Sequence, residues 1–178
     1  MAKHRPLRVD PIAEAKRQWS EHGWEDAALG MSAVTSVMRA QQLVLARVEA
    51  EMKVFGLSFA RFELLRLLAF SREGRMPMAS VISRLQVHAT SVTSAVDRLS
   101  SAGLLRREPH PGDGRSALLA LTDAGRELVD RATEALNERV FTQLSISEED
   151  TRELVSILAR FRKNSGDFID PTPLPDPL

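Results

Sequence analysis

The sequence predicts a mainly α-helical chain with one small β-hairpin, α+β in class, and three observations carry the prediction. Apolar residues recur at steps of three and four over most of the chain, the pattern of helices that bury one face. Cap residues Asp10, Ser58, Thr122 and Ser147 stand before these runs, and Gly23, Gly56 and Gly103 stand after them. One stretch, RREPHPGDGRSALLALT from Arg106 to Thr122, breaks the pattern by placing two prolines and two glycines between apolar runs, which reads as a hairpin.

The elements follow in order. Residues 1–9 are expected to be disordered. Asp10-Pro11 starts a helix that should run to about His22, with Pro11 where its missing N–H costs nothing. A second helix, from about Asp26 to Phe55, carries Met31, Val34, Met38, Leu45, Val48, Met52 and Phe55 as a seam interrupted only by Gln41. Ser58 caps FARFELLRLLAFSR, whose Phe62, Leu65, Leu68 and Ala69 form an apolar face to about Ser71, and Gly74 and Pro77 break the pattern. Two short helices, MASVISRLQ and TSVTSAVDRLSSAG, are separated only by Val87, His88 and Ala89, the outline of a helix-turn-helix. Strands are expected at 104–107 and 117–121. Thr122 then caps a helix to about Gln143, with Leu128, Ala132, Ala135 and Val140 on one side. Ser147 caps the last helix, whose first turn holds Glu148, Glu149 and Asp150 and which ends near Gly166. The proline-rich tail DPTPLPDPL is too poor in packing residues to fold.

At 178 residues and 43% hydrophobic content, the chain can bury the core of one compact domain. It has no cysteine, which removes disulfides, thiolate metal sites and cysteine nucleophiles. No apolar run approaches the ~18 residues of a membrane span and no signal-like core follows MAKHRPLRVD, so a soluble, cytoplasmic protein without a membrane partner is expected. Basic and acidic residues both number 24, but unevenly: residues 58–115 hold 9 basic and 5 acidic side chains, net +4, while residues 116–178 are net −5. A basic middle segment can face a polyanion while the total charge stays near zero.

Catalysis finds no footing. His4, His22, His88 and His110 are scattered without metal-ligand spacing, tyrosine is absent, and the only glycine-rich run lies inside the hairpin rather than before a helix. The expectation is a non-enzyme with neither metal nor cofactor.

The second short helix is more informative. Val92, Ala95, Val96 and Leu99 form its buried stripe, leaving Thr90, Ser91, Thr93, Ser94 and Arg98 on a polar face of short hydroxyls and one guanidinium. Such a face suits entry into a DNA major groove, and it also suits a plain solvated helix. The hairpin behind it could bring Arg107, His110 and Arg115 to phosphates or a minor groove, with Asp113 directing the Arg115 guanidinium; a mobile surface loop is the alternative.

The stretch AVDRLSSAGLLRREPHPGDGRSALLALTDAGREL, with Leu121, Thr122 and Gly125 in an LT-x-x-G helix start, resembles the winged helix-turn-helix core of MarR-type bacterial regulators over roughly residues 30–165. The resemblance implies a homodimer whose first and last helices interlock and whose two reading helices enter successive major grooves of a pseudo-palindrome. It divides the chain into an N-terminal extension (1–25), a helical dimerisation region (26–57 and 122–166), a winged helix-turn-helix region (58–121) and a disordered tail (167–178). Gly114 stands where the family often carries a second wing arginine.

The extra N-terminal helix is similar to that of the PecS-like, urate-responsive branch. In that likeness Trp19, Glu63 and Arg107 take the positions of an effector pocket, although Ala95 replaces an arginine of the branch. The resemblance thus implies a ligand-responsive repressor that binds double-stranded DNA, is nucleoid-associated when bound, and takes a small anionic or aromatic effector. The alternative reading of Trp19 is a docking residue that anchors the extra helix to the dimer interface. A helical interaction module without specific DNA binding is the alternative function, and it leaves the hairpin and the basic segment without a role.

Overall fold

The computed structural model describes residues 7–85, 89–110 and 113–169, with the side chains of Ala89, His110 and residues 113–116 outside that description. The chain forms two compact units that meet within one long helix, the first ending at Val48 and the second beginning at Glu49.

The first unit holds α1 (Pro11–Glu21) and most of α2 (Glu25–Val54). Asp10 caps α1, accepting from the Ile12 amide at 2.9 Å. Arg17 pairs with Glu14 and Glu21 along its surface, and the hydrogen bond from Arg17 holds the Glu14 carboxyl down at about 2. Gly23 takes a left-handed φ of +83°, which ends the helix and turns the chain into α2. The expected seam on α2 is only partly covered in the single chain. Val48 and Met52 are buried, whereas Val34, Met38 and Leu45 are exposed, as are Leu29 and Val37.

The second unit contains α3 (Phe59–Phe70), β1 (Arg75–Pro77), α4 (Met78–Leu85), α5 (Ala89–Ser101), β2 (Leu105–His110), β3 (Asp113–Leu121), α6 (Asp123–Leu136) and α7 (Glu148–Asn164). Its core is built from Phe62, Leu64, Leu65 and Leu68 of α3, Val81 of α4, Val92, Val96 and Leu99 of α5, and Val129, Ala132 and Leu136 of α6. Met76, Leu105 and Leu119 of the sheet close it. Truncating any of the core leucines to alanine removes a group with no room to collapse, at a typical cost of about 2–5 kcal/mol.

The sheet has three antiparallel strands in the order β1-β3-β2, one more than the sequence led us to expect. The extra strand spans Arg75, Met76 and Pro77, too short to show a period of two, and it pairs with Ala120, Leu119 and Leu118 of β3. The hairpin strands are also longer than 104–107 and 117–121. Pro109 lies within β2 opposite Ala117, which an edge strand tolerates because the missing N–H removes no ladder bond to a further neighbour.

The buried face of α6 also differs from the expected one. Its buried residues are Gly125, Val129, Ala132 and Leu136, with Val140 following, so Leu128 and Ala135 flank the stripe and do not centre it. A π-helical turn over Asn137–Phe141 continues α6, and Val140, four positions after Leu136, is buried with it. Ser147 caps α7 by accepting from the Asp150 amide at 3.0 Å. No residue of α7 is buried, and Leu154, Val155, Ile157 and Phe161 stay exposed.

Candidate nucleic-acid interface

The packing of α5 follows from its sequence. Val92, Val96 and Leu99 are buried and Ala95 is half-buried, which turns Thr90, Ser91, Thr93, Ser94 and Arg98 outward. Four of these, Thr90, Ser91, Ser94 and Arg98, line a shallow depression of about 450 Å³ together with Ala95 and with Ser58, Ala60 and Arg61 from the start of α3. Thr93 is exposed but not among the lining residues.

Ser58 reads from the sequence only as a helix cap, and nothing there singles out Arg61. Ser58 Oγ accepts from the Arg61 amide at 3.4 Å and from its Nε at 3.2 Å, so the cap also steadies the guanidinium at the depression. The depression thus offers hydroxyls, two guanidinium groups and the first turn of α3. These are donors suited to phosphate oxygens and base edges. The spacing of a cap three residues before an arginine is the only sequence signal for this pair, and their neighbours on α5 lie some thirty residues away.

The base of the hairpin is fixed to the same helix. Arg107 Nη2 donates to Asp97 Oδ1 at 2.7 Å, so Arg107, expected to meet DNA or a ligand, already has a carboxylate partner on α5. On the strand parity opposite to Arg107, Arg106 donates to Glu108 Oε1 at 2.7 Å, and Arg75 comes within 3.7 Å of Glu108 Oε2. The Arg106 hydrogen bond, aided by the charge of Arg75, holds the Glu108 carboxyl below the usual carboxylate range. His110 and Asp113 face each other across the hairpin end, while their side chains and that of Arg115 lie outside the described residues, as does any Asp113–Arg115 contact.

The LT-x-x-G start of α6 closes this arrangement. Thr122 Oγ1 accepts from the Gly125 amide at 3.0 Å and donates to the Gly103 carbonyl at 2.8 Å. Gly125 is required sterically, because a Cβ there would lie 2.0 Å from the Leu104 carbonyl oxygen. On α3, Arg66 donates to the Val129 carbonyl at 2.9 Å, to Asp130 Oδ1 at 2.8 Å and to Thr133 Oγ1 at 2.6 Å, joining α3 to α6.

Of the expected effector residues, Trp19 belongs to the first unit, edge-to-face with Trp24 at 5.4 Å. Glu63 belongs to the second, half-buried on α3, and burial pushes its carboxyl up. Among the described residues no group of His, Asp and Glu is arranged to hold a metal ion, and no helix is long and apolar enough to cross a membrane.

Two short helices, a hairpin directly behind the second and a polar outward face on that helix define the winged helix-turn-helix class of proteins. Residues 55–116 match the family model described as MarR family. The chain is 29% identical over 158 residues to the HTH-type transcriptional regulator PecS of Dickeya dadantii, covering 86% of this chain and 93% of the relative. It resembles the structure of Sco5413, a MarR family transcriptional regulator from Streptomyces coelicolor, with 44% identity and a TM-score of 0.72 over 79% of this chain and 98% of that one. Sco3205 from the same organism, solved in complex with DNA, is 25% identical with a TM-score of 0.66, over 74% and 88% of the two chains. The chain belongs to the MarR family of transcriptional regulators.

Proposed function

We propose that the protein is a repressor that binds a pseudo-palindromic operator as a homodimer and is released by a small ligand. In this reading α5 enters the major groove, with Ser94 and Arg98 reaching base edges and Thr90, Ser91 and Thr93 completing its polar face. Ser58 and Arg61 grip a phosphate beside it, and the hairpin carries Arg115 towards the next groove. The observation that supports it best is the shared depression in which side chains from the starts of α3 and α5 converge. The exposed apolar residues of α2 and α7 supply the material for a dimer, since a single chain leaves them in water.

An electrophoretic shift on DNA flanking the protein's own gene tests the reading. Retardation should weaken by roughly 10³–10⁵-fold between 50 and 200 mM salt, as expected for six to ten phosphate contacts. Arg61→Ala and Arg115→Ala should each weaken binding to all sequences alike and lower the salt slope by about 1, whereas Ser94→Ala and Arg98→Ala should alter preference among sequences. No retardation at low salt would leave the interaction-module alternative standing.

A further inference from the structure

The turn between α1 and α2 carries an aromatic corner whose chemistry differs from that of the DNA-facing unit. The Trp19 and Trp24 rings sit 5.4 Å apart at 64°, and the His22 ring stacks on Trp24 at 5.7 Å and 27°. The Trp24 amide donates to the Trp19 carbonyl at 2.9 Å, so both indoles are tied to one backbone turn. The corner opens on a depression of about 530 Å³ lined by Trp19, Gly23, Trp24, Asp26 and Ala27. Gly23 forms part of the rim with no side chain, and nothing lies within 4 Å of where a Cβ would stand. Trp24 remains 54% exposed, a large apolar ring left in water beside a carboxylate.

Apart from the titratable ring of His22, the charged residues in this stretch have one sign. From Gln18 to Met38 the sequence contains no lysine or arginine and three carboxylates, Glu21, Glu25 and Asp26. The nearest preceding cation, Arg17, is engaged by Glu14 and Glu21. Indole faces carry negative electrostatic potential and attract cations, and a carboxylate at the rim adds to that attraction, while an anion would be repelled by both.

We propose that Trp19, Trp24 and Asp26 form a binding site for a small organic cation, a quaternary or protonated amine carried on an apolar body. The sequence had pointed to an anionic or aromatic effector at Trp19. This proposal keeps the aromatic character of that ligand and gives it the opposite charge.

The test uses the full-length protein without DNA, so its outcome is separate from that of the operator experiment. Tryptophan fluorescence is titrated with benzyltrimethylammonium, with benzyl alcohol as the neutral comparison and benzoate as the anion. Saturable binding of the cation is expected, weaker for benzyl alcohol and absent for benzoate. Trp24→Ala, followed by calorimetry, should weaken the cation about 5- to 30-fold, with Trp24→Phe retaining part of the affinity. Asp26→Asn, at an exposed position, should weaken the cation without affecting benzyl alcohol, and it decides the question even if Trp24→Ala fails to fold. Non-saturable quenching, equal binding of benzoate, or cation affinity unchanged in Asp26→Asn overturns the site.

Discussion

Arg107 on β2 and Asp97 on α5 meet through one hydrogen-bonded ion pair at 2.7 Å, which joins the hairpin base to α5. Both side chains are about half exposed, so their coupling in stability should be only about 0.2–1 kcal/mol in a double-mutant cycle measured by denaturant unfolding. DNA affinity should respond differently to the two changes. Arg107→Ala should weaken binding to all sequences alike, whereas Asp97→Asn, which frees Arg107 from its carboxylate partner and removes an exposed anion from α5, should strengthen low-salt retardation.

Gly125→Ala should destabilise the fold, although alanine is the better helix former by about 1 kcal/mol. The new methyl would stand 2.0 Å from a backbone oxygen, which cannot move aside without shifting the hairpin base. A net loss of at least about 2 kcal/mol in urea unfolding is expected, in line with overpacking against rigid neighbours. An unchanged midpoint would contradict the close approach.

Much of this was legible in the residues, and what was not has identifiable reasons. Asp10, Ser58, Thr122 and Ser147 all cap helices as expected, because a cap is a local bond between a side chain and an amide two or three residues on. The stripe of α5 was legible for the same reason, its period being internal to one helix. Strand β1 was not, since three residues ending in proline show no alternation and owe their conformation to β3, more than forty residues later. Leu64 was missed on α3 because that helix is covered on more than one side, and Ser58 and Arg61 gain their significance only from tertiary neighbours on α5.

Glu63→Gln should raise the melting temperature at pH 7–8 and have little effect near pH 4. Burial raises the folded-state pKa of this carboxyl above its ordinary 4.5, so the stability it contributes is full below that value and is lost as pH rises through the folded value. Glu108 works in the opposite sense: its lowered pKa gives a contribution present above the ordinary value and lost as pH falls. Comparing melts of Glu63→Gln and the unaltered protein across pH cancels the Glu108 contribution, and a difference that grew toward acid pH would refute the assignment.

On the proposed dimer, Val155→Glu combined with Phe161→Ser should give a monomer in sedimentation. Both residues are exposed on α7, which buries nothing in the single chain, so a monomer would tolerate the change. The variant should also lose any concentration dependence of its melting temperature and bind a two-half-site operator roughly 10²-fold more weakly, because the second half-site would no longer be reached intramolecularly. Unaltered sedimentation would remove α7 from the dimer contact.

Thr122 gives the end of α5 and the start of α6 a common pivot. One oxygen holds the Gly103 carbonyl, just past α5, and the Gly125 amide, in the first turn of α6, and the Thr122 amide reaches the Leu104 carbonyl at 3.2 Å. The slack between the two helices is therefore no greater than the reach of a single hydroxyl. With Arg66 holding α6 at Val129 and Thr133, a tilt of α6 would be passed to the last turn of α5, the helix proposed to enter DNA.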